Sequence, residues 1–231
     1  MGADREFSAP GGIMRRRQGT VAAALLAGVL TTVLAGALAG CGGGGGESFI
    51  DPRAMAQLRE ALRKEPSLPD GFTARPDQAW RMPFGPAQRS CRELLEPAGG
   101  HAPGQALTAQ AAVSYQGDGL GEQAGVGLAR YAGGEAGAHL DALDRARRSC
   151  REVRTSSGTD LWLSELPAEA AGREAVGARL QGRLHGYPYA LDVVFSRVGD
   201  TLVSVVHTGM NDVDPARTRQ VVDAAMEMAG A

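Results

Sequence analysis

The sequence predicts an α+β fold, a twisted antiparallel sheet packed by helices, and three observations support this. Segments with helical and strand periodicity follow one another in the order helix, strands, helix, strands, helix. Glycine-containing turns at 117–119 and 199–200 each separate two strand patterns by a few residues, which is typical of antiparallel hairpins. Runs of strands divided by single helices are typical of the α+β class.

Composition limits the class of partner. The chain has 231 residues and a formal net charge of −2, and Lys64 is its only lysine. This length allows one or two domains. A protein that binds nucleic acid neutralises phosphates with Lys and Arg, so a net negative charge argues against a nucleic-acid partner.

The N-terminal segment has the pattern of a bacterial lipoprotein signal. Three arginines at 15–17 precede an uncharged run over 20–40, which ends in Leu-Ala-Gly directly before Cys41. In such a signal the cysteine thiol takes a diacylglycerol group before cleavage, and several acyl chains on one residue anchor a protein stably. We therefore expect residues 1–40 to be a signal peptide, with Met14 as the true start, and Cys41 to be the lipidation site.

An uncleaved transmembrane span is the alternative for this segment, because an apolar run of this length is long enough to cross a bilayer. The run is rich in Ala and Gly, hence weakly hydrophobic, and five glycines follow Cys41. These features favour the lipoprotein, in which residues 41–50 form the lipidated cysteine and a flexible glycine-rich tether. Either arrangement places the remainder outside the cytoplasm.

Residues 51–67 are predicted to form a short helix or stalk. Asp51 is a suitable N-cap, Pro52 suits the first helical position, and the helical pattern continues to Lys64. The pattern leaves open whether this helix docks on the domain or belongs to the stalk. The main domain is expected over residues 68–231.

The remaining elements follow in chain order. The expected helices cover Gln88–Leu95, Glu135–Val153 and a last helix that begins after Asp214, and the expected strands cover Thr108–Gln116, Ala124–Ala132, Asp160–Leu166, Ala175–Leu184, Tyr189–Arg197 and Thr201–Thr208. Residues 73–88 are rich in proline and are expected to be irregular. The strand over 201–208 is mainly apolar on both faces, which predicts a central strand covered on each side. Trp162 is expected to pack in the sheet core.

Two cysteines remain once Cys41 is assigned to lipid. Cys91 and Cys150 form an even pair in an oxidising compartment, and we expect a disulfide between them. Two free thiols or a metal site are the alternatives. Metal sites usually contain CxxC or Cys/His clusters, and neither pattern occurs, so no metal or cofactor is expected.

Several short motifs follow one another along the chain. They are Leu68-Pro69-Asp70-Gly71-Phe72, Cys91-x-x-Leu94-Leu95, Cys150 at the end of the middle helix, Val-Gly-Asp-Thr at 198–201, and the last amphipathic helix. With the lipobox and tether, this order resembles actinobacterial surface lipoproteins related to the extracellular sensor domain of PknH-type Ser/Thr kinases. The resemblance covers about residues 68–231. It implies a twisted antiparallel sheet with a cleft and an unassigned ligand, but no kinase activity, because no kinase domain is encoded. That sensor domain typically has two disulfides, whereas this chain can form one.

Motifs for catalysis are missing from the sequence. Residues 119–124 fit a loose GxGxxA pattern, but a strand pattern follows it, whereas a dinucleotide site needs a helix. The G-x-S-x-G motif of many hydrolases does not occur. We therefore expect no enzymatic activity and no catalytic residues. Tyr187 and Tyr189 form the one aromatic cluster, at a predicted strand end, and with His207 they are the candidate ligand-binding residues.

These observations predict an extracytoplasmic lipoprotein anchored to the outer face of the cytoplasmic membrane. The main hypothesis is a non-catalytic ligand-binding or sensor-like module of the cell envelope, which holds an unknown small molecule in a concave pocket with apolar lining near the sheet. The alternative is an envelope interaction or scaffold protein that binds another protein through an exposed apolar patch. An enzyme of wall or lipid metabolism is the third hypothesis, and it would need titratable groups that converge in a cleft.

Overall fold

The computed structural model describes residues 50–64, 67–76, 78–167 and 174–230. Its helices are α1 (Pro52–Arg63), α2 (Arg89–Leu95), α3 (Glu135–Ser149) and α4 (Pro215–Gly230). Its strands are β1 (Thr73–Arg75), β2 (Leu107–Gln116), β3 (Gln123–Tyr131), β4 (Glu152–Arg154), β5 (Asp160–Glu165), β6 (Ala175–Leu184), β7 (Tyr187–Val198) and β8 (Thr201–Gly209). The predicted signal peptide, the lipidation site Cys41 and the tether lie outside the described residues, except for Ile50.

All eight strands belong to one antiparallel sheet, in the order β1-β2-β3-β8-β7-β6-β5-β4. The predicted α+β class with an antiparallel sheet is therefore confirmed. The last strand, β8, lies between β3 and β7, and all nine of its residues are buried. This confirms the prediction from its sequence, in which both faces carry apolar side chains and so must both be covered.

Helices cover both sides of the sheet. On one side, face A, α2 packs against α3, and α3 contacts β6, β7 and β8. On the other side, face B, α1 packs on β2 and α4 packs on β7 and β8. Since side chains alternate between the faces of a strand, each strand contributes to two separate apolar cores.

The helix α1 docks on the domain, which settles the alternatives that the sequence left open. The Asp51 side chain accepts a hydrogen bond from the Arg53 amide at 2.8 Å and caps the helix. Four apolar residues of α1 are buried in the face B core: Ala54, Leu58, Ala61 and Leu62. The helix is thus part of the domain's packed structure.

Cys91 and Cys150 form the predicted disulfide, with their Cα atoms 4.8 Å apart. Cys91 lies in α2, and Cys150 directly follows the last residue of α3. Both residues are fully buried among the apolar side chains of face A. The bond therefore ties the short helix α2 to the end of α3, which itself packs on the sheet.

Three details differ from the sequence expectations. The middle helix ends at Ser149 rather than Val153, because residues 152–154 form β4 and pair with β5. Residues 73–75, expected to be irregular, pair with the end of β2 as β1. Trp162 is not in the core but 55% exposed. Its neighbour Leu161 is buried in the core of face A, so Trp162 lies on face B. The helices on face B contact other strands and leave Trp162 uncovered.

Candidate functional site

A part of face A carries no large apolar side chains. Over 110–116 of β2 and 123–129 of β3, the face A residues are small or polar, and so is one residue of β8: Gln110, Ala112, Ser114, Gln116, Gln123, Gly125, Gly127, Ala129 and Ser204. Over β6 and β7 the same face instead carries the buried core residues Leu180, Leu191 and Phe195. We call the hollow surface over these small and polar residues the cleft.

Two loop segments form the walls of the cleft. Ala79 and Trp80 come from the segment between β1 and α2, and residues 97–102 follow α2. Trp80 is buried and lies directly over β3: a Cβ atom added to Gly125 would lie 2.6 Å from the Trp80 Cβ. Glycine at 125 therefore permits the loop to approach the sheet, and the buried Trp80 anchors this segment.

The cleft consists of two hollows on either side of Ala79. The first has a volume of about 490 Å³, and its floor is formed by residues such as Gln110, Ala112 and Gly127. The second has a volume of about 310 Å³ and contains Ser114 and Gln116. Volumes of several hundred Å³ are typical of small-molecule sites.

Polar groups of the cleft are available to a ligand. Ser114 is 9% exposed and lines the second hollow, yet its hydroxyl makes no hydrogen bond to any residue that the structure describes. The Ser204 hydroxyl makes only a long one, 3.4 Å, to the carbonyl oxygen of Gly127. The Ser114 hydroxyl is not among the fully buried polar atoms without a partner, so it is open to the hollow and can bond to a ligand there.

Arginines lie at both ends of the cleft. Arg59 and Arg63, from the last turns of α1, line the first hollow, and Arg75 and Arg81 line the second. Among the described residues that line either hollow, none is acidic. The lining of both hollows therefore carries a positive formal charge, although the whole chain carries a net charge of −2.

The structure does not bring together the three candidate ligand-binding residues of the sequence analysis. Tyr187 is 67% exposed at the start of β7. Tyr189 is half-buried on face A, where its ring contacts Phe84 edge-on at 6.4 Å. Burial raises the pKa of Tyr189. His207 is buried on face B beneath α4, so the sheet separates it from Tyr189.

His207 belongs to a chain of buried polar groups that connects α4 to the sheet. Its Nε2 atom lies 3.0 Å from Oε1 of Glu122, and its Nδ1 atom lies 2.9 Å from the hydroxyl of Thr218 on α4. The same hydroxyl donates to Oδ2 of Asp192 at 2.8 Å. Arg179 completes the chain with two hydrogen bonds of 2.6 Å to the Asp192 carboxylate. Each charge is thereby paired inside the protein.

The surroundings of Glu122 and His207 shift both of their pKa values downward. Burial alone would raise the pKa of Glu122, but hydrogen bonds from the Gly119 amide and His207, with the charge of Arg217, hold it below its ordinary value. Burial lowers the pKa of His207, and the hydrogen bond to Glu122 only partly opposes this. Acid is therefore expected to weaken the attachment of α4.

This array has the residue types of a catalytic triad but not the access. A hydroxyl, an imidazole and a carboxylate lie in hydrogen-bond sequence, as nucleophilic catalysis requires. Thr218 is only 3% exposed and His207 only 1%. The Thr218 hydroxyl also already donates to Asp192. Because no substrate can reach the hydroxyl, the array is structural and fastens α4.

Neither a metal site nor a membrane-spanning helix is found in the part of the chain that the structure describes. Within residues 50–64, 67–76, 78–167 and 174–230, no group of three or more His, Cys, Asp or Glu side chains could hold a metal ion. Over the same ranges, each helix is too short or too polar to cross a bilayer.

The resemblance implied a cleft, but neither its place nor its residues were predicted, although β2 contains a signal for them. In β2, Gln110, Ser114 and Gln116 alternate with apolar residues, and the neighbouring stretch of β3 carries glycines at 125 and 127 on the same face. Two adjacent strands with no large apolar residue on a shared face predict a site that core packing does not fill. Recognising it requires the register between the strands, which the hairpin turn at 117–121 sets.

Comparisons with other proteins concern the fold alone. No family model matches the sequence, and no curated protein matches it. The crystal structure of the extracellular domain of PknH from Mycobacterium tuberculosis is similar to this chain with a TM-score of 0.48 and 11% identity, over 78% of this chain and 90% of that one. The X-ray structure of an uncharacterised protein, the Rv0999 ortholog from Mycobacterium smegmatis, is similar with a TM-score of 0.42 and 13% identity, over 77% of this chain and 97% of that one. The first is the kind of domain that the motif order resembles. At such identities no residue role passes from either protein to this chain.

Proposed function

We propose that this protein is a non-catalytic, membrane-anchored lipoprotein of the cell envelope whose domain binds a small molecule in the cleft on face A. The observation that carries this proposal is the cleft itself. It is a concave surface of several hundred Å³ on a rigid sheet, and its Ser114 hydroxyl lacks a partner among the described residues.

The lining of the cleft refines the ligand-binding hypothesis. An apolar pocket was expected, whereas the cleft is formed by small residues, side-chain amides, hydroxyls and arginines. A polar ligand suits this lining better than a lipid tail, because each amide and hydroxyl must otherwise stay hydrated. The triad-like array of His207 is buried beneath α4 and lies on the opposite face, so it supplies no chemistry to the cleft.

Placement outside the cytoplasm is supported by two independent features. The lipobox pattern before Cys41 predicts export and lipid attachment. The buried Cys91–Cys150 disulfide suits an oxidising compartment, since cytoplasmic proteins rarely keep structural disulfides. Together they favour a domain held by lipid at the outer face of the cytoplasmic membrane.

Native mass spectrometry tests the binding function. The full chain would be expressed in an actinobacterial host, recovered from membranes and sprayed from detergent. We expect a retained small-molecule mass that disappears in Ala112→Leu, because the larger side chain fills the floor of the first hollow. The matched control is Ala142→Leu, an exposed position on α3 outside the cleft, which should keep the adduct. A bare protein mass, or an adduct that Ala112→Leu retains, contradicts the proposal.

The lipid anchor needs its own test. In cells fed a clickable palmitate analogue, the wild-type chain should be labelled and should sediment with membranes. Cys41→Ser should abolish both, whereas Gly43→Ser, which keeps the cysteine, should change neither. Unchanged membrane retention of Cys41→Ser with an uncleaved N-terminus would favour the transmembrane alternative.

A further inference from the structure

The arginines of the cleft lie in linings that contain no acidic residue among those described. Some arginines outside the cleft contact carboxylates, as Arg179 does with Asp192, whereas others such as Arg145 form no ion pair with a described residue. Within the part of the chain that the structure describes, neither Arg59 nor Arg81 forms an ion pair. Each hollow therefore has a cationic side chain and no carboxylate in its described lining, which favours an anion as the ligand.

The positions of the arginines follow the long axis of the cleft. Arg59 belongs to the first hollow, near Gln110, whereas Arg81 belongs to the second, near Gln116. These two glutamines are six residues apart on β2, which corresponds to about 20 Å along an extended strand. The positive groups therefore lie at opposite ends of an elongated site rather than at one point.

Neutral hydrogen-bonding groups lie along the floor, both beside the arginines and between them. Gln110 and Gln123 are exposed, and their amides can both donate and accept. Ser114 offers a hydroxyl that makes no hydrogen bond within the described residues. A floor of this kind matches hydroxyl or amide groups on a ligand, whereas its small residues leave room for the ligand's body.

From this arrangement we infer that the cleft takes an elongated anionic small molecule, which carries phosphate or carboxylate groups at the arginine ends and hydroxyl or amide groups between them. This inference rests on the proposed binding function of the cleft and specifies its ligand class. Arg59 and Arg81 hold the charged groups, since a guanidinium binds either anion through two parallel hydrogen bonds. The Ser114 hydroxyl binds between the two ends, and the amides of Gln110 and Gln123 bind beside the charged groups.

Calorimetric titration of the full chain in detergent micelles tests this inference. The probes are inorganic phosphate, citrate and glucose, which represent the phosphate, carboxylate and neutral alternatives. We expect saturable binding of phosphate or citrate, weakened by added salt, and no binding of glucose. The better-bound anion identifies which of the two charged groups the natural ligand carries.

Substitutions of arginine locate the binding. A probe as small as phosphate or citrate reaches only one end of the cleft, so Arg59→Gln should weaken anion binding at the first hollow and Arg81→Gln at the second. Each loss should be about tenfold, as expected for one charge-assisted hydrogen bond. Arg145→Gln is the matched control, because Arg145 is exposed on α3 and lines neither hollow. These side chains lie at the surface, and circular dichroism checks that all three variants fold.

The outcomes separate this inference from the function on which it rests. If glucose binds and the anions do not, or if Arg145→Gln weakens binding as much as Arg59→Gln, the inference is overturned. If no anion binds while native mass spectra still show an adduct that Ala112→Leu removes, the cleft binds a neutral ligand and only this inference fails. If no probe binds and that adduct is also missing, both fail.

Discussion

Loss of the Cys91–Cys150 bond should destabilise the domain by about 4 kcal/mol. The two cysteines are 59 positions apart in sequence, so the bond closes a loop of about 60 residues in the unfolded chain. The chain-entropy relation gives about 14 cal/mol/K for such a loop, which is about 4 kcal/mol at 25 °C. For a domain of about 180 residues, with an unfolding entropy of about 2.1 cal/mol/K per residue, this lowers Tm by about 10 °C.

Urea denaturation followed by circular dichroism measures the effect. The Cys91→Ala, Cys150→Ala double variant is preferable to serine, because both positions are fully buried and a serine hydroxyl would lack partners there. Reductant should lower the midpoint of the wild type and leave that of the double variant unchanged. A loss below about 1 kcal/mol in the double variant, or alkylation of both cysteines without reduction, would refute this reasoning.

Three further predictions concern the sheet and its two faces. Asp192→Ala should lower the unfolding free energy by about 3 kcal/mol, because it leaves the largely buried Arg179 without its carboxylate. Asp212→Ala removes a carboxylate that is 70% exposed and should cost less than about 1 kcal/mol, so equal losses in urea titrations would contradict this prediction. Gly125→Ala should lower the unfolding free energy by about 1–3 kcal/mol and shift the fluorescence of Trp80, because the new Cβ would lie 2.6 Å from that side chain. An unchanged emission spectrum and urea midpoint would argue against the packing of this loop on β3. In the unfolded chain His207 binds a proton near pH 6.5, whereas in the folded chain it does so only at lower pH. The urea midpoint should therefore fall as the pH drops below about 6.5, and His207→Gln should reduce this dependence. If the midpoint of that variant depends on pH as strongly as the wild type's does, His207 is not the source.

Local patterns in the sequence were sufficient to predict most of the elements and the central strand. Alternation of apolar residues over 201–208 indicated a strand buried on both faces, and β8 has that position. Asp214 and Pro215 marked the start of α4, and the Asp214 side chain does accept from the Ala216 amide at 2.8 Å. Such signals act within a few residues, so they need no knowledge of the rest of the fold.

Features that depend on distant partners were not predictable in this way. The helical pattern predicts a helix to Val153, whereas 152–154 form β4, whose extended form is stabilised by pairing with β5. The prediction that Trp162 packs in the sheet core is wrong, because the alternation of β5 puts Leu161 there instead. Tyr187, Tyr189 and His207 were grouped by residue type, but burial and strand direction separate them.

The cleft exists because none of the described helices covers this part of face A, and the pattern of a single strand does not say which strands the helices cover. Helix α3 packs mainly over β6, β7 and β8, and the disulfide ties α2 to the end of α3. The face A residues of β2 and β3 are therefore left to the loops that contain Trp80 and residues 97–102. Ligand binding by these residues stays a prediction until it is measured.

Hydrogen exchange of the membrane-recovered protein tests the central claim most directly. The full chain would be compared before and after its bound small molecules are removed by dialysis, with Ala112→Leu as a reference. If the cleft holds the ligand, removal should speed exchange in the two wall segments, 78–88 and 97–102, and along β2, and Ala112→Leu should already show the faster exchange. Ligand-dependent protection confined to α4 on face B, or no change in either wall segment, would contradict the account.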